Sequence, residues 1–208
     1  MKDLLSRLDS LKRSNIKKTI DTRLTEFRGL GKSPNGNIFS ELCFCLLTAN
    51  YSAEGGMRIQ NSIGDGFCSL SENDLSTKLR QLGHRFPNKR AEFISEARKH
   101  KEGIGEKINS FPGEKDARNW LAENVKGLGY KESSHFLRNI GFENVAIIDF
   151  HIVDLLVKEK LIERPKTLTK KKYIEIEKVL EDIAKNADMN LAELDLYLWY
   201  IETGKILK

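Results

Sequence analysis

Asn124-Val125-Lys126-Gly127-Leu128-Gly129-Tyr130-Lys131-Glu132-Ser133-Ser134-His135-Phe136-Leu137-Arg138-Asn139-Ile140-Gly141 reads as a helix, a tight hairpin and a second helix. Gly127 and Gly129 permit positive φ and close approach at the turn. Amides of the hairpin and of the following helix start then face outward, a sequence-independent grip on a phosphate backbone. A lone Gly-x-Gly is equally an ordinary helix connection, so the rest of the chain has to discriminate.

Outward from this stretch, apolar residues recur at helical spacing: Leu4, Leu5, Leu8 and Leu11; Ile16, Ile20, Leu24 and Phe27; Tyr173, Ile176, Val179, Leu180 and Ile183. The pattern predicts an all-α fold of about ten helices in two subdomains with a cleft between them. Ser71 to Asp74 resembles a capping box, Pro87 and Pro112 suit first helical turns, and Gly83, Gly141 and Gly204 suit helix ends. Ile38 to Ala49 is apolar on nearly every side and is expected to cross the core, delivering Asn50 to a surface or cleft. Ser33 to Asn37 is the candidate linker, and Val145 to Ile148 is the one strand-like or buried connecting run. Residues 1–208 are expected to form one compact unit of two intertwined subdomains, with the helix-hairpin-helix at about 117–140.

With 208 residues, 39% hydrophobic and 31% charged, the composition excludes wholesale disorder and a large multidomain machine. No apolar run approaches the roughly 20 residues of a membrane span, and the first residues do not resemble a signal peptide. A net charge of +5 permits an anionic partner without requiring one. Cys43, Cys45 and Cys68 are too few and wrongly spaced for a zinc or iron–sulfur site, so no metal or organic cofactor is expected. Unpaired thiols point to a reducing, cytoplasmic setting.

Lys131 falls in the first turn of the second helix, where the positive end of the macrodipole disfavours a further cation. A neutral amine is what imine chemistry requires. Asp149 follows 18 residues later, after the apolar run that ends at Ile148. It suits a helix N-cap, and the same carboxylate could stabilise a cationic sugar or assist proton transfer.

A glycine hairpin, a lysine and an aspartate 18 positions on resemble the helix-hairpin-helix DNA glycosylase superfamily. Further matching segments are Leu46 to Asn50, Gly83 to Pro87 with Lys89 to Ile94, and Asp195 to Tyr200 ahead of Lys208. Together they are similar to the archaeal and thermophile 8-oxoguanine DNA glycosylase/AP lyase family, the second type of these enzymes, over nearly the whole chain. The four-cysteine cluster of the endonuclease III branch is missing, as is the extra N-terminal domain of the eukaryotic 8-oxoguanine enzymes.

The resemblance implies duplex DNA containing 8-oxoguanine as partner, a flipped base, Lys131 as the Schiff-base nucleophile and Asp149 as its electrostatic support. It makes Trp199 a stacking wall for the base, otherwise a core tryptophan, and places Asp195 one turn earlier on the same face. His135 is either the opposite wall or a satisfied helix histidine. Lys208 is implicated in telling 8-oxoguanine from guanine, with its α-carboxylate or Asp195 as candidate acceptors for the lesion's N7–H; by composition alone it is a frayed tail. Asn50 would enter the duplex gap or simply end a helix. Arg85 and Phe86 would contact the orphaned cytosine and wedge the next step. Gly127 and Gly129, with Lys126 and Lys89 or Arg90, would hold phosphates, whereas Lys170 to Lys172 reads as a solvated helix start. The expected protein is a monomer. A glycosylase for another oxidised base and a non-catalytic helix-hairpin-helix DNA-binding module are the alternatives.

Overall fold

The computed structural model describes residues 1–208, and all its regular structure is helical. α1 (Lys2–Lys12) and α2 (Asn15–Gly31) precede α3 (Asn35–Thr48), α4 (Ala53–Ile63), α5 (Gly66–Ser69), α6 (Glu72–Gln81) and α7 (Pro87–Ala97). A 3₁₀ turn leads into α8 (Ile104–Asn109), α9 (Glu114–Asn124) and α10 (Tyr130–Asn139). The chain then forms α11 (Phe150–Lys158), α12 (Lys170–Ala187) and α13 (Leu191–Thr203). The expectation of about ten helices falls short of these thirteen because α5 and α8, with four and six residues, are too short to display a period.

Local signals act much as their chemistry requires. The Ser71 hydroxyl accepts the Asp74 N–H at 3.1 Å, and Pro87 opens α7 where its missing N–H costs nothing. Pro112 instead lies outside the first turn of α9, whose N-cap is Gly113. The supposed linker is mostly helix, since α3 begins at Asn35 directly after Pro34.

Two apolar cores organise these helices. One surrounds α3, on which every residue from Ile38 to Thr48 except Ser40 is buried, and it also takes in Ile94, Leu121, Phe136 and Val145. The other joins Leu4 to Phe27 with Ala146, Ile148, Leu156, Ile176 and Leu196. Val145 to Ile148 passes between them as buried chain, not a strand. Its polar backbone groups are satisfied by side chains: Ala146 N–H donates to Glu177 Oε1 (2.9 Å), Ile148 N–H to the Tyr173 hydroxyl (3.2 Å), and that hydroxyl to Ala146 O (2.7 Å).

Glu177 of α12 also binds Arg118 of α9 through both carboxylate oxygens, with both side chains almost fully buried. The Arg118 guanidinium lies over the Tyr130 and Tyr173 rings at 5.0 and 5.6 Å. This pair ties the hairpin's first helix to the second core.

Candidate active site

Between the cores opens a cleft of about 880 Å³ lined by residues from five helices and the segments beside them. Asn50, Arg85, Lys131, His135, Asp149, Asp195, Trp199 and Lys208 all face it. Phe86, Gly127 and Gly129 do not line it, although Phe86 adjoins Arg85 and is 38% exposed.

The hairpin sets the position of Lys131. Gly127 has φ +93°, and a Cβ there would lie 2.3 Å from the Phe93 ring, so both conformation and space require glycine. Gly129 differs from expectation: its φ is −98°, and it is the N-cap of α10. Its N–H donates to Glu132 Oε2 at 3.3 Å. A carboxylate therefore occupies the amide that was expected to face a phosphate. Lys131 is the second residue of α10, with its side chain 26% exposed and Nζ 3.9 Å from Glu132 Oε1.

Asp149 performs the capping role, accepting the Ile152 N–H at 3.0 Å, while also facing the cleft. Directly after it come two aromatic residues that the sequence reading overlooked. Phe150 is 67% exposed and its ring lies 3.9 Å from that of His151, which meets Trp199 edge-on at 4.9 Å. A Phe in the first position of a helix capped by Asp149, where a side chain meets solvent, was the available signal. Trp199 is half-buried, and its Nε1–H has no partner.

His135 is buried, edge-on to Phe44 at 5.6 Å. Burial, reinforced by Arg138, Lys131 and Lys208, holds its pKa well below the ordinary value, so it faces the cleft as a neutral ring. Asp195 pairs with Arg138 at 2.5 Å, yet burial outweighs that attraction and pushes its carboxyl up to about 6. Lys208 is not a frayed tail: Nζ donates to Glu41 Oε2 (2.7 Å) and Gln60 Oε1 (2.6 Å), and lies 4.3 Å from the Phe44 ring centroid.

The opposite rim is equally braced. Asn50 has φ +60° and terminates α3. The His84 ring sits between this terminus and the next turn, accepting the Phe86 N–H on Nδ1 (3.0 Å) and, in the tautomer this fixes, donating from Nε2 to Leu47 O (3.0 Å). Arg90 donates to Ala49 O at 2.5 Å and is 6% exposed, so it braces the end of α3. Lys126 bridges Glu92 (2.9 Å) and Glu96 (2.7 Å), and Lys89 also holds Glu92. Both lysines expected to hold phosphates are thus already paired with carboxylates.

A helix-hairpin-helix whose second helix presents a lysine, and a capping aspartate across a cleft deep enough for a base, define the helix-hairpin-helix DNA glycosylase class. A family model described as 8-oxoguanine DNA glycosylase matches residues 20–189. The chain belongs to this family. It is 55% identical over 207 residues to the 8-oxoguanine DNA glycosylase/AP lyase of Korarchaeum cryptofilum, covering 99% of this chain and 98% of the relative. It also superposes with TM-score 0.96 on the crystal structure of Methanocaldococcus jannaschii 8-oxoguanine glycosylase/lyase in complex with a 15-mer DNA containing 8-oxoguanine. That match is 52% identical over 99% of both chains. The 8-oxoguanine DNA glycosylase of Thermotoga maritima gives 0.93 at 42% identity, covering 100% of this chain and 99% of the other.

Proposed function

We propose that this chain excises 8-oxoguanine from duplex DNA and then cleaves the abasic strand by β-elimination. The observation that carries this reading is the convergence of Lys131 and Asp149, from the starts of two helices in different cores, on one cleft that also presents Trp199.

In the proposed mechanism a flipped nucleotide enters the cleft and its base lies against Trp199. Lys131 Nζ attacks C1′ with its lone pair; the bond from C1′ to the base nitrogen breaks and the base leaves with that electron pair. Asp149 stabilises positive charge developing on the sugar. The amine loses a proton, the sugar ring opens to an imine, and removal of a 2′ proton expels the 3′ phosphate. Asn50 and Arg85, braced at the rim, enter the gap and meet the orphaned base, and Phe86 wedges beside them. The protein acts as one 208-residue unit built on intertwined subdomains, with the hairpin element at about 117–140, and as a monomer. No helix is long and apolar enough to cross a membrane. A cytoplasmic, nucleoid-associated location suits its three unpaired cysteines and its DNA substrate.

Borohydride trapping tests the reading. A duplex carrying 8-oxoguanine opposite cytosine yields a covalent complex with the intact protein and none with Lys131→Gln, whereas an undamaged duplex yields neither. A Lys131→Gln protein that still cleaved the lesion strand would overturn the mechanism.

A further inference from the structure

Glu41 is an anomaly in α3. It is 2% exposed on a helix whose other buried residues, Thr48 apart, are apolar, where a charge is costly unless its partners are well placed. Its partners form a continuous chain. Oε2 accepts from Lys208 Nζ at 2.7 Å, and Gln60 Oε1 accepts from the same Nζ at 2.6 Å. Oε1 accepts from Asn139 Nδ2 at 2.7 Å. Asn139 Oδ1 in turn accepts from Arg138 Nε and Nη2 at 3.0 and 2.9 Å, and Arg138 Nη1 binds Asp195.

The two ends of this chain, Lys208 and the Arg138–Asp195 pair, both face the cleft, while Glu41 and Asn139 lie behind it. Lys208 also stands over Phe44, whose ring meets His135 edge-on. Each link has one workable orientation. Asn139 must turn its amide nitrogen to Glu41 and its oxygen to Arg138 for all donors to find acceptors. A carboxylate at position 41 is the group that supplies one oxygen to each side.

We propose that Glu41 is a positioning residue for base recognition: its carboxylate couples Lys208 to Arg138 through Asn139 and so fixes opposite polar ends of the pocket. The assignment rests on the 8-oxoguanine reading above. Lys131 and Asp149 stand outside the chain of bonds, so cleavage of a strand that already lacks its base does not depend on it.

Glu41→Gln tests this because the shape is kept and one acceptor becomes a donor. Either Lys208 or Asn139 then loses its oxygen, and an Asn139 that rotates to compensate presents its NH₂ to Arg138. In single-turnover assays with the full chain, excision of 8-oxoguanine falls by about tenfold to a hundredfold. Cleavage of a preformed abasic duplex stays within about twofold. Glu41→Gln combined with Lys208→Met excises no more slowly than Lys208→Met alone, since one coupled unit is lost. Gln60→Met, at a half-buried position where folding is less at stake, shows the same split in weaker form. Equal losses on both substrates, or additive losses in the double variant, would assign Glu41 to the fold alone and overturn the proposal; so would a Gln60→Met protein with no split. An unsubstituted protein that cleaved abasic DNA but left 8-oxoguanine in place would overturn the substrate reading as well, and is told apart because it needs no variant.

Discussion

The two cores use the chain differently. The core around α3 draws on one uninterrupted stretch, Ile38 to Val145, whereas the other gathers Leu4 to Phe27 from the start and Ala146 to Leu198 from the end. The first is thus inserted into the second, and the chain crosses between them twice. The second crossing runs from Val145 into Asp149, and Lys131, the proposed nucleophile, sits on the last helix before it. Placing the two reactive groups on opposite sides of a boundary lets the cleft open where the cores part. Their spacing is then only as fixed as the joint between cores.

The largest expected effect comes from breaking that joint. Arg118→Leu strips Glu177 of its main cation in a site where both side chains are about 2% exposed or less, and about 3–5 kcal/mol of unfolding free energy is lost. Urea denaturation at neutral pH measures it. Arg13→Ala, which removes an exposed pair with Asp9, is the internal contrast and changes almost nothing. A loss for Arg118→Leu as small as that contrast would mean that apolar packing alone holds the cores together.

Next comes the hairpin, where two glycines separate by conformation. Gly127→Ala meets both a positive φ and the Phe93 ring and costs about 1–3 kcal/mol, with weaker DNA binding. Gly129→Ser places a favoured N-cap residue on backbone of ordinary φ, beside a flexible Glu132 carboxylate at 3.2 Å, and changes stability by less than about 1 kcal/mol. Melting of the two variants in parallel decides whether the turn itself or its helix cap orders the site.

These glycines also show what the sequence could and could not convey. Periodicity exposed the helical class and the burial of α3, because both are local patterns that one helix carries by itself. That Lys131 and Asp149 meet at one cleft was legible through their spacing and the resemblance it brought. The conformation of Gly129 was not legible because φ depends on which residue becomes the cap, and the bracing role of Arg90 was not because its carbonyl acceptor, Ala49, is 41 residues distant in sequence. The Glu41 chain was invisible for the same reason: its partners at 60, 139 and 208 meet only in the folded molecule.

A pH series sharpens the comparison at the cleft. His135 is surrounded by Arg138, Lys131 and Lys208, and its folded-state pKa lies well below 6.5. The unfolded chain therefore binds the proton first, and stability falls as pH drops below 6.5, by at most about 1.4 kcal/mol over the first unit. Asp195 acts with the opposite sign: raised from 3.8 to about 6, it makes the folded state the better proton acceptor in that window, so stability rises as pH falls through it. Wild-type stability is consequently flattened between pH 6 and 4 relative to either group alone. In His135→Phe the Asp195 contribution stands uncovered, and denaturation midpoints increase on acidification from pH 6 towards 4. A midpoint that fell in that variant would show that other groups govern the cleft's response to acid.

The smallest effect belongs to Lys126, on the exposed hairpin side of the first core. Two carboxylates, Glu92 and Glu96, already neutralise it, and their attraction raises its pKa. A cation so engaged releases few counterions when DNA binds, because it must first give up partners of its own. Lys126→Gln therefore leaves the slope of log affinity against log salt unchanged, where loss of a true phosphate contact would lower it by about 0.9. A full drop would mean that both carboxylates yield Lys126 to the backbone, turning the outer face of the hairpin into part of the footprint. The unchanged slope takes Lys126 out of the footprint and leaves sequence-independent grip to other groups, among them cations on the cleft rim such as Arg85, beside the chemistry proposed at the boundary between the cores.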